Sequence, residues 1–255
     1  MAKKGVAADM RFGASRGEVG RSDDGRPSRG EVGRSDDANR LWPPAFKAAI
    51  FDFDGTISDT ASLWKRVDLA FLGARGIPYS PDYGRALSAL GFAAGAQYTI
   101  ERYGLRESVQ EICDEWNRMG RALYEAEACL RPGAEAYIRD LGQAGIPCAL
   151  ATTNDRAVLD AMRKVKVDDL FDVRLHAGEL GVAKDVPDIY QEAARQLGQE
   201  PADCIVFEDL AVALRSARQA GCVTCGVRSN DPHQEVDEMR SICDLWLDGW
   251  EGVGL

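Results

Sequence analysis

The chain has 255 residues, of which 45% are hydrophobic and 28% are charged, and its formal net charge is −10. These proportions indicate one soluble domain, or one domain with a sizeable insertion. The negative charge lies after residue 46, because the first 46 residues contain nine Lys or Arg against seven Asp or Glu. Such an acidic folded part argues against a nucleic-acid partner and against an anionic membrane surface.

Apolar segments and cysteines together indicate a cytoplasmic protein. No apolar run approaches the ~20 residues of a membrane span, so we expect no membrane partner. The seven cysteines are odd in number and lie scattered through apolar segments, which is typical of reduced, buried thiols. Two of them form CVTC at 222–225, but no second pair or nearby histidine completes a zinc site, so packing is their expected role.

Residues 1–46 are predicted to form a disordered N-terminal tail with a tandem repeat. The segment SRGEVGRSDD occurs at 15–24 and again at 28–37, in surroundings with few large apolar residues. Such a composition cannot bury a core, and two copies without an apolar face do not make a solenoid. We interpret the repeat as a duplication without a fold, with a binding tail as the alternative. We therefore expect residues 1–44 to be dispensable for stability and turnover.

From Lys47 onward, apolar strand-like runs alternate with amphipathic helical patterns. Strands are predicted at 47–53, 146–153, 172–177, 204–209 and 222–227. Helices are predicted between them at 133–145, 155–165, 186–198 and 210–221. Near-continuous apolar strands joined by helices predict an α/β fold, a Rossmann-like parallel sheet with helices on both faces. Ligands of such sheets bind at the carboxyl ends of the strands.

An all-helical block interrupts this alternation at residues 64–131. In its last helical pattern, apolar side chains recur at spacings of three and four, at Val109, Ile112, Trp116, Met119 and Leu123. That stripe is typical of a helix packed in a bundle. We predict an inserted all-α cap at 64–131 over a catalytic core formed by 47–63 and 132–255. Its basic residues are candidates either for ligand contact or for solvated helix faces: Lys65, Arg66, Arg102 and Arg106.

The segment KAAIFDFDGT places two carboxylates at the end of the first predicted strand. Side chains at i and i+2 of a strand point the same way, so Asp52 and Asp54 are expected to be neighbours. Two carboxylates ~4 Å apart repel by about 4 kcal/mol at an effective dielectric constant of ~20. Gly55 after them lets the backbone turn sharply away. A calcium loop is excluded, because a strand rather than a helix precedes the motif.

DFDGT after a hydrophobic strand resembles the first motif of the haloacid dehalogenase superfamily. Three further motifs follow in the order of that family, and the resemblance covers residues 47–250. It implies an aspartyl-phosphate at Asp52 and a general acid and base at Asp54. ALATTND at 149–155 resembles the second motif, which implies that Thr152, Thr153 and Asn154 bind the phosphoryl group at a helix N-terminus. For this motif in isolation, a plain helix cap is the alternative.

The third and fourth motifs supply a lysine and two acidic residues. In GVAKDVPDIY, Lys184 resembles the family lysine that neutralises the nucleophile and the transferring phosphoryl group, and Asp185 stands where the family usually has Pro. In CIVFED, Asp209 resembles the magnesium ligand of the family, with Glu208 as a second ligand or a hydrogen-bond partner. Leu210 and Ala213 replace the Ser and Gly that usually follow.

The resemblance and the acidic residues together predict a metal site. The predicted ligands are Asp52, Asp54, Glu208 and Asp209. A hard divalent cation makes such a cluster tolerable, and oxygen-only ligation points to Mg²⁺ as the cofactor. His176 and His233 lie outside all four motifs, and we expect them to be structural or surface residues.

Asp54 separates this chain from two branches of the superfamily. Dehalogenases of this group carry an aromatic residue at that position, and phosphonatases carry a small one. A phosphatase and a phosphomutase resembling β-phosphoglucomutase remain. The mutases carry a cap signature of closely spaced Gly, Ser and Arg, which the segment 86–104 lacks. We expect a monomeric phosphatase of this branch acting on a small phosphorylated metabolite such as a sugar phosphate, with a mutase as the alternative and a non-catalytic binding module as a third, weaker hypothesis.

Overall fold

The computed structural model describes residues 37–254. The predicted tail up to residue 36 lies outside the described residues, together with the first copy of the repeat and all but Asp37 of the second. Within 37–254, no helix combines the length and the apolar character needed to cross a membrane.

Six parallel strands form one sheet. They are β1 (Ala48–Phe51), β2 (Cys148–Thr152), β3 (Val173–His176), β4 (Cys204–Glu208), β5 (Val223–Val227) and β6 (Leu245–Leu247). Their order in the sheet is β3-β2-β1-β4-β5-β6, the doubly wound order of a Rossmann-like fold. The predicted fold class is confirmed. Five strands fall in the predicted runs, and the sixth, three residues long between two aspartates, was missed.

Of the helices between β1 and β2, the first four lie where the cap was predicted. They are α1 (Ala61–Ala74), α2 (Pro81–Ala89), α3 (Phe92–Tyr103) and α4 (Val109–Ala126). Most of their buried apolar side chains form one cluster, which includes Phe71, Tyr83 and Trp116, whereas Leu63 and Tyr124 pack in a cluster of the core. Ile112 of the predicted stripe is buried in this cluster with Trp116, and the other stripe residues pack against it. The stripe therefore packs inside a helix bundle, as predicted.

The remaining helices cover the sheet. They are α5 (Ala134–Gln143), α6 (Arg156–Leu159), α7 (Ala177–Leu180), α8 (Asp188–Gln196), α9 (Ala211–Ala220) and α10 (Val236–Ile242). The predicted helix at 155–165 is much shorter than expected. It begins at the Asp155 cap, but from Ala161 onward the backbone N–H groups bond three residues back, so the chain tightens and leaves the α-helix.

The apolar strands are explained by burial on both faces. Ala49 and Phe51 of β1 pack in one buried cluster, whereas Ala48 and Ile50 pack in another. Successive side chains of a strand point to opposite faces, so a sheet covered on both sides has no position for a polar residue in its central strand. The first polar side chains appear where the strand ends.

The predicted boundary of the tail at residue 46 is wrong, because residues 37–46 pack on the core. Leu41 is fully buried, and its carbonyl oxygen accepts a hydrogen bond from the Tyr137 hydroxyl at 3.3 Å. Asp37 pairs with β6: its N–H donates to the Trp246 carbonyl at 2.7 Å, and its carboxylate accepts from the Trp246 N–H at 3.0 Å. These contacts satisfy an edge strand that would otherwise expose its backbone groups.

Two truncations test this boundary. Deletion of residues 1–36 should leave the melting temperature unchanged, since their composition offers little apolar surface to bury. Deletion of residues 1–46 should lower it by roughly 5–10 °C, because burial of one leucine side chain alone is worth about 1.5–3 kcal/mol. Differential scanning calorimetry measures both, with Leu41→Ala in the full chain as the matched control. Equal melting temperatures for the two truncations would contradict the assignment.

Candidate active site

The ends of the central strands bring most of the predicted site residues together. Asp52 follows β1, Thr152 to Asn154 close β2, and Glu208 and Asp209 close β4. Since β2, β1 and β4 are adjacent and parallel, their carboxyl ends meet at one edge of the sheet. The ladder continues into the site, where the Asp52 N–H donates to the Phe207 carbonyl at 3.0 Å.

Lys184 lies in the middle of this edge. Its ammonium group donates to Asp52 Oδ1 and to Glu208 Oε1, and the side chain is 1% exposed. Burial alone would lower the pKa of Lys184, but the charges of Asp52 and Glu208 outweigh burial and hold the pKa above its usual range. The lysine is therefore cationic at neutral pH. Asp185, in the place of the usual proline, is exposed, so solvent screens its charge.

Glu208 is saturated by protein donors. Oε1 accepts from Lys184 and from the Tyr190 hydroxyl at 3.0 Å, and Oε2 accepts from the N–H groups of Asp209 at 3.1 Å and Leu210 at 3.4 Å. Burial raises the pKa of Glu208 to about 7, although Lys184 opposes the rise. Of the two roles that the sequence left open for Glu208, its contacts favour the hydrogen-bond partner over the metal ligand.

Asp52, Glu208 and Asp209, hereafter the carboxylate cluster, fit a divalent cation. Each offers an oxygen, and these oxygens lie within 4.8 Å of one another. Asp52 Oδ2 is buried and has no hydrogen-bond partner among the described residues. Burial raises the pKa of Asp209 well above its usual range, and Asp52 and Glu208 raise it further. Three carboxylates against one ammonium leave negative charge uncompensated, which a hard cation with oxygen ligands would offset.

The Asp54 side chain lies outside the carboxylate cluster, and its role as a metal ligand stays a prediction. Its Oδ1 accepts from the hydroxyls of Thr60, at 2.5 Å, and Tyr124, and its Oδ2 accepts from Asn154 Nδ2 at 2.9 Å. The physical reason is that strand β1 has already ended at Phe51, so Asp52 and Asp54 do not keep the side-by-side orientation of a strand. Burial and the charge of Asp52 raise the pKa of Asp54 to about 6, and the three hydrogen bonds oppose the rise.

The loop after Asp54 has no room for a side chain at Gly55. The backbone there has a φ of +87°, and a Cβ atom would lie 2.0 Å from Asp209 Oδ2. The loop is closed by a hydrogen bond from the Gly55 N–H to the Ser58 carbonyl at 2.7 Å, and Arg131 donates to the Gly55 carbonyl at 3.1 Å. Glycine therefore lets Asp209 approach the loop that follows β1, in addition to allowing the turn.

The residues of the second motif have two different surroundings, the turn after β2 and the cavity. Thr152 is fully buried and its hydroxyl accepts from the Asn154 N–H at 3.0 Å, which is a turn contact. Thr153 and Asn154 line the cavity, and His176 fixes the turn through Nδ1, 2.8 Å from the Asn154 carbonyl oxygen. Burial lowers the pKa of His176, in keeping with its predicted structural role. Phosphoryl binding by Thr152, Thr153 and Asn154 stays a prediction.

A cavity of about 470 Å³ joins the sheet edge to the cap. Its core side carries Asp52, Asp54 and Asp209, and its cap side is largely aromatic and aliphatic: Trp64, Val67, Tyr79, Leu87, Phe92 and Trp116. Of the four basic candidates in the cap, Lys65 lines the cavity, whereas Arg66 and Arg102 pair with Glu127 and Asp82. The volume is that of a site for a small metabolite.

Sequence reasoning missed the cap residues that contact Asp54. Tyr124 of α4 is buried, receives a hydrogen bond from Trp64 Nε1 at 2.8 Å and another from Asn154 Nδ2 at 3.0 Å, and donates to Asp54. Tyr124 lies eight residues after Trp116, on the buried face of the same helix. Its hydroxyl at the end of an apolar face was the available signal, because a buried tyrosine usually finds a polar partner.

The chain is similar in sequence and fold to several known proteins. A family model of haloacid dehalogenase-like hydrolases matches residues 46–221. Protein CbbY of Rhodobacter capsulatus is 31% identical over 186 residues, which are 69% of this chain and 82% of CbbY. A phosphorylated carbohydrates phosphatase of Thermotoga maritima is 25% identical over 69% of this chain and 82% of its own. A crystal structure of a CbbY mutant from Rhodobacter sphaeroides with xylulose-(1,5)bisphosphate superposes with a TM-score of 0.69 at 25% identity, covering 82% of this chain and all of that one (100%).

Tyr124→Phe tests how tightly the cap is held to Asp54. The change leaves the Trp64 Nε1–H without its acceptor and removes one donor from Asp54, so the free energy of unfolding should fall by about 1–3 kcal/mol. Urea denaturation followed by tryptophan fluorescence measures the loss. Tyr103→Phe is the control, since the Tyr103 hydroxyl has no partner among residues 37–254 and its removal should cost little. A Tyr124 variant as stable as the wild type would show that this network contributes nothing.

Proposed function

Since the chain belongs to the haloacid dehalogenase-like hydrolases, we propose that it is a Mg²⁺-dependent phosphatase that hydrolyses a small phosphomonoester, such as a sugar phosphate, through an aspartyl-phosphate on Asp52. One observation carries the proposal. Two carboxylates of one loop line the same cavity with different partners: Asp52 pairs with a buried lysine, and Asp54 is held by neutral donors with a pKa raised to about 6. A nucleophile and a general acid need this division.

In the first half-reaction, Asp52 is the nucleophile. Its Oδ2, which accepts no hydrogen bond from a described residue, forms the new bond to phosphorus while the bond from phosphorus to the ester oxygen breaks. Lys184 holds the other oxygen of Asp52 and balances charge beside the transferring group. Asp54 gives its proton to the departing oxygen. Oδ2 of Asp54 is the oxygen with room for that proton, because it accepts one hydrogen bond and Oδ1 accepts two.

In the second half-reaction, the ionised Asp54 acts as the base. It takes a proton from a water molecule, whose oxygen attacks the phosphorus, and the bond between phosphorus and Asp52 breaks to release phosphate and restore the carboxylate. The free enzyme has Asp54 largely ionised at neutral pH, but the approach of a phosphate dianion under the cap raises the pKa of Asp54 further and favours the acid form.

Asp52 and Asp209 are the residues that would hold the magnesium ion, with Glu208 anchored behind them by Lys184 and Tyr190. The bound ion would offset the repulsion of these carboxylates and of the phosphate. The proposal of Mg²⁺ rather than another cation is supported by the oxygen-only donor set.

The relatives support a phosphorylated metabolite as substrate, since one is named a phosphorylated carbohydrates phosphatase. A mutase is the second candidate, but the Gly, Ser and Arg signature expected of its cap is lacking at 86–104. A non-catalytic binding role is disfavoured because the sequence contains each motif residue that the proposed reaction needs. A screen of phosphorylated metabolites for phosphate release, run beside a glucose 1-phosphate isomerisation assay, decides between the first two. Isomerisation faster than release would overturn the phosphatase.

Asp52→Asn should abolish turnover while the protein stays folded. The carboxamide keeps the shape of the side chain but cannot attack phosphorus, and it removes one negative charge from the carboxylate cluster. Without Mg²⁺ the variant should therefore melt no lower than the wild type, and it should lose most of the rise in melting temperature that Mg²⁺ gives the wild type. Asp185→Asn, an exposed neighbour of Lys184, is the control and should keep both. Substantial turnover by Asp52→Asn would rule out the aspartyl-phosphate.

Asp54→Ala should slow the first half-reaction more when the leaving group is a strong base than when it is a weak base. A sugar alkoxide needs a proton as the bond breaks, whereas p-nitrophenolate is a weak base and leaves unaided. General acid catalysis is typically worth ~10²–10⁴-fold, so phosphoenzyme formation should fall by that factor with a sugar phosphate and only slightly with p-nitrophenyl phosphate. The second half-reaction still lacks its base, so the nitrophenyl ester should give a burst of one equivalent and then stall.

Rapid-quench kinetics on both esters measure these rates. Asp54→Asn serves as the second variant, because it keeps a side chain of the same shape between Thr60 and Asn154 and should behave alike if proton transfer is what is lost. Equal slowing on the two esters, without a burst, would mean that Asp54 only positions the loop.

A further inference from the structure

The cap side of the cavity contains a buried carboxylate that the reaction does not use. Asp68 lies on the inner face of α1, lines the cavity and is 8% exposed. No residue within 37–254 donates a hydrogen bond to it or forms an ion pair with it. Burial raises the pKa of Asp68 to about 7, with no neighbouring cation to oppose the rise. An unpaired carboxylate in such a place is costly to the ligand-free protein.

Asp68 lies where the leaving group of a substrate would end. The Thr60 hydroxyl contacts Asp54 at the chemical end of the cavity, and Asp68 is eight residues further along the chain. At a rise of about 1.5 Å per residue, α1 carries Asp68 about 12 Å away from Thr60 along the helix axis. A phosphoryl group at Asp52 therefore leaves the rest of the substrate between the two aspartates.

The same wall holds an unmatched donor. Trp116 of α4 lines the cavity and is 5% exposed, and its indole Nε1–H has no acceptor among the described residues. A carboxylate accepts hydrogen bonds and an indole only donates them. Because Trp116 Nε1 is itself buried, the contact open to a ligand is with Asp68, to which a hydroxyl or an ammonium group can donate, whereas a phosphate or carboxylate can only accept.

Charge in the cap argues against a second anionic group. Lys65 and Arg85 are the cations that line the cavity in the described part of the cap, and both are exposed, so solvent screens them. Asp68 is buried, and its charge also helps to raise the pKa of Tyr79, whose ring lines the cavity. A phosphate or carboxylate group bound in the cap would be repelled by Asp68, and no buried cation among the described cap residues that line the cavity would compensate.

We propose that Asp68 is a specificity residue that accepts a hydrogen bond from a hydroxyl group on the leaving group, and that the substrates are neutral hydroxylated monophosphates rather than bisphosphates or phosphorylated acids. The inference rests on the proposed phosphatase activity and names the substrate class of that same site. Xylulose-(1,5)bisphosphate, present in the crystal structure of the CbbY mutant, falls outside this class.

The test compares wild type, Asp68→Asn and Asp114→Asn in kcat/KM for glucose 6-phosphate and p-nitrophenyl phosphate. The nitrophenyl group carries no hydrogen-bond donor. Hydrogen bonds to charged groups are worth enough that Asp68→Asn should lose about tenfold to hundredfold more on the sugar phosphate than on the nitrophenyl ester. Asp114 lies on the exposed side of α4, so its isosteric change should alter neither value. Equal losses on both esters would overturn the proposal.

Two further substrates separate the chemical classes. Glucosamine 6-phosphate replaces one hydroxyl by an ammonium group, and fructose 1,6-bisphosphate adds a second phosphate. The wild type should prefer glucose 6-phosphate to the bisphosphate, and Asp68→Asn should narrow that preference. A higher kcat/KM of the wild type for the bisphosphate would overturn the proposal. A fall in kcat/KM of Asp68→Asn for glucosamine 6-phosphate alone would also overturn it, because the group that binds Asp68 would then be an ammonium.

Ligand binding and melting temperature test the role of Asp68 without relying on turnover. The same esters are titrated by calorimetry into Asp52→Asn protein, with and without Asp68→Asn, so Asp68 can be judged even if the wild type releases phosphate from none of them and the proposed function fails. Weaker binding of the sugar phosphate in the double variant, at unchanged binding of the nitrophenyl ester, supports the proposal. Asp68→Asn should also raise the melting temperature, because it removes an unpaired buried charge. A fall would assign Asp68 a structural role and overturn it.

Discussion

The contact of Lys184 with Asp52 and Glu208 is the interaction on which the site depends. Loss of Lys184 would leave two buried carboxylates without their cation, and such an unmatched buried charge typically costs about 3–5 kcal/mol. The topology of the sheet brings the three groups together. Because β1 and β4 are neighbours, their carboxyl ends place Asp52 and Glu208 side by side, and Lys184 on the loop before α8 contacts both. Gly55 then leaves the space into which Asp209 fits.

The two aspartates of the first motif differ because their partners differ. Asp52 faces a buried cation from the core, whereas Asp54 faces three neutral donors, of which the Tyr124 hydroxyl comes from the cap. Neutral donors stabilise a carboxylate less than a cation does, so burial prevails and the pKa of Asp54 rises to about 6. Pairs of titratable groups whose environments differ in this way are what acid–base chemistry at neutral pH requires.

Sequence patterns predicted the fold and most of the site because both follow from local rules. Apolar runs that end in Asp52 and in Glu208 fix where the strands stop, and adjacency of those strands brings the groups together. Sequence patterns did not predict contacts between residues that are far apart in the sequence. The packing of Leu41, the strand at 245–247 and the hydroxyl of Tyr124 beside Asp54 depend on partners far away in sequence. The orientation of Asp54 was also beyond reach, since it depends on the turn that follows the strand.

The partners of Asp52 and of Asp54 come from different parts of the molecule, the core and the cap. Asp52, Lys184 and Glu208 all belong to the core, so the partners of Asp52 do not come from the cap. Asp54 also receives hydrogen bonds from Thr60, at the start of α1, and from Tyr124 in α4. The orientation of the Asp54 carboxylate is therefore tied to the contact between the cap and the sheet edge. In the proposed reaction, attack by Asp52 would depend on core residues, whereas protonation of a poor leaving group by Asp54 would also depend on the cap.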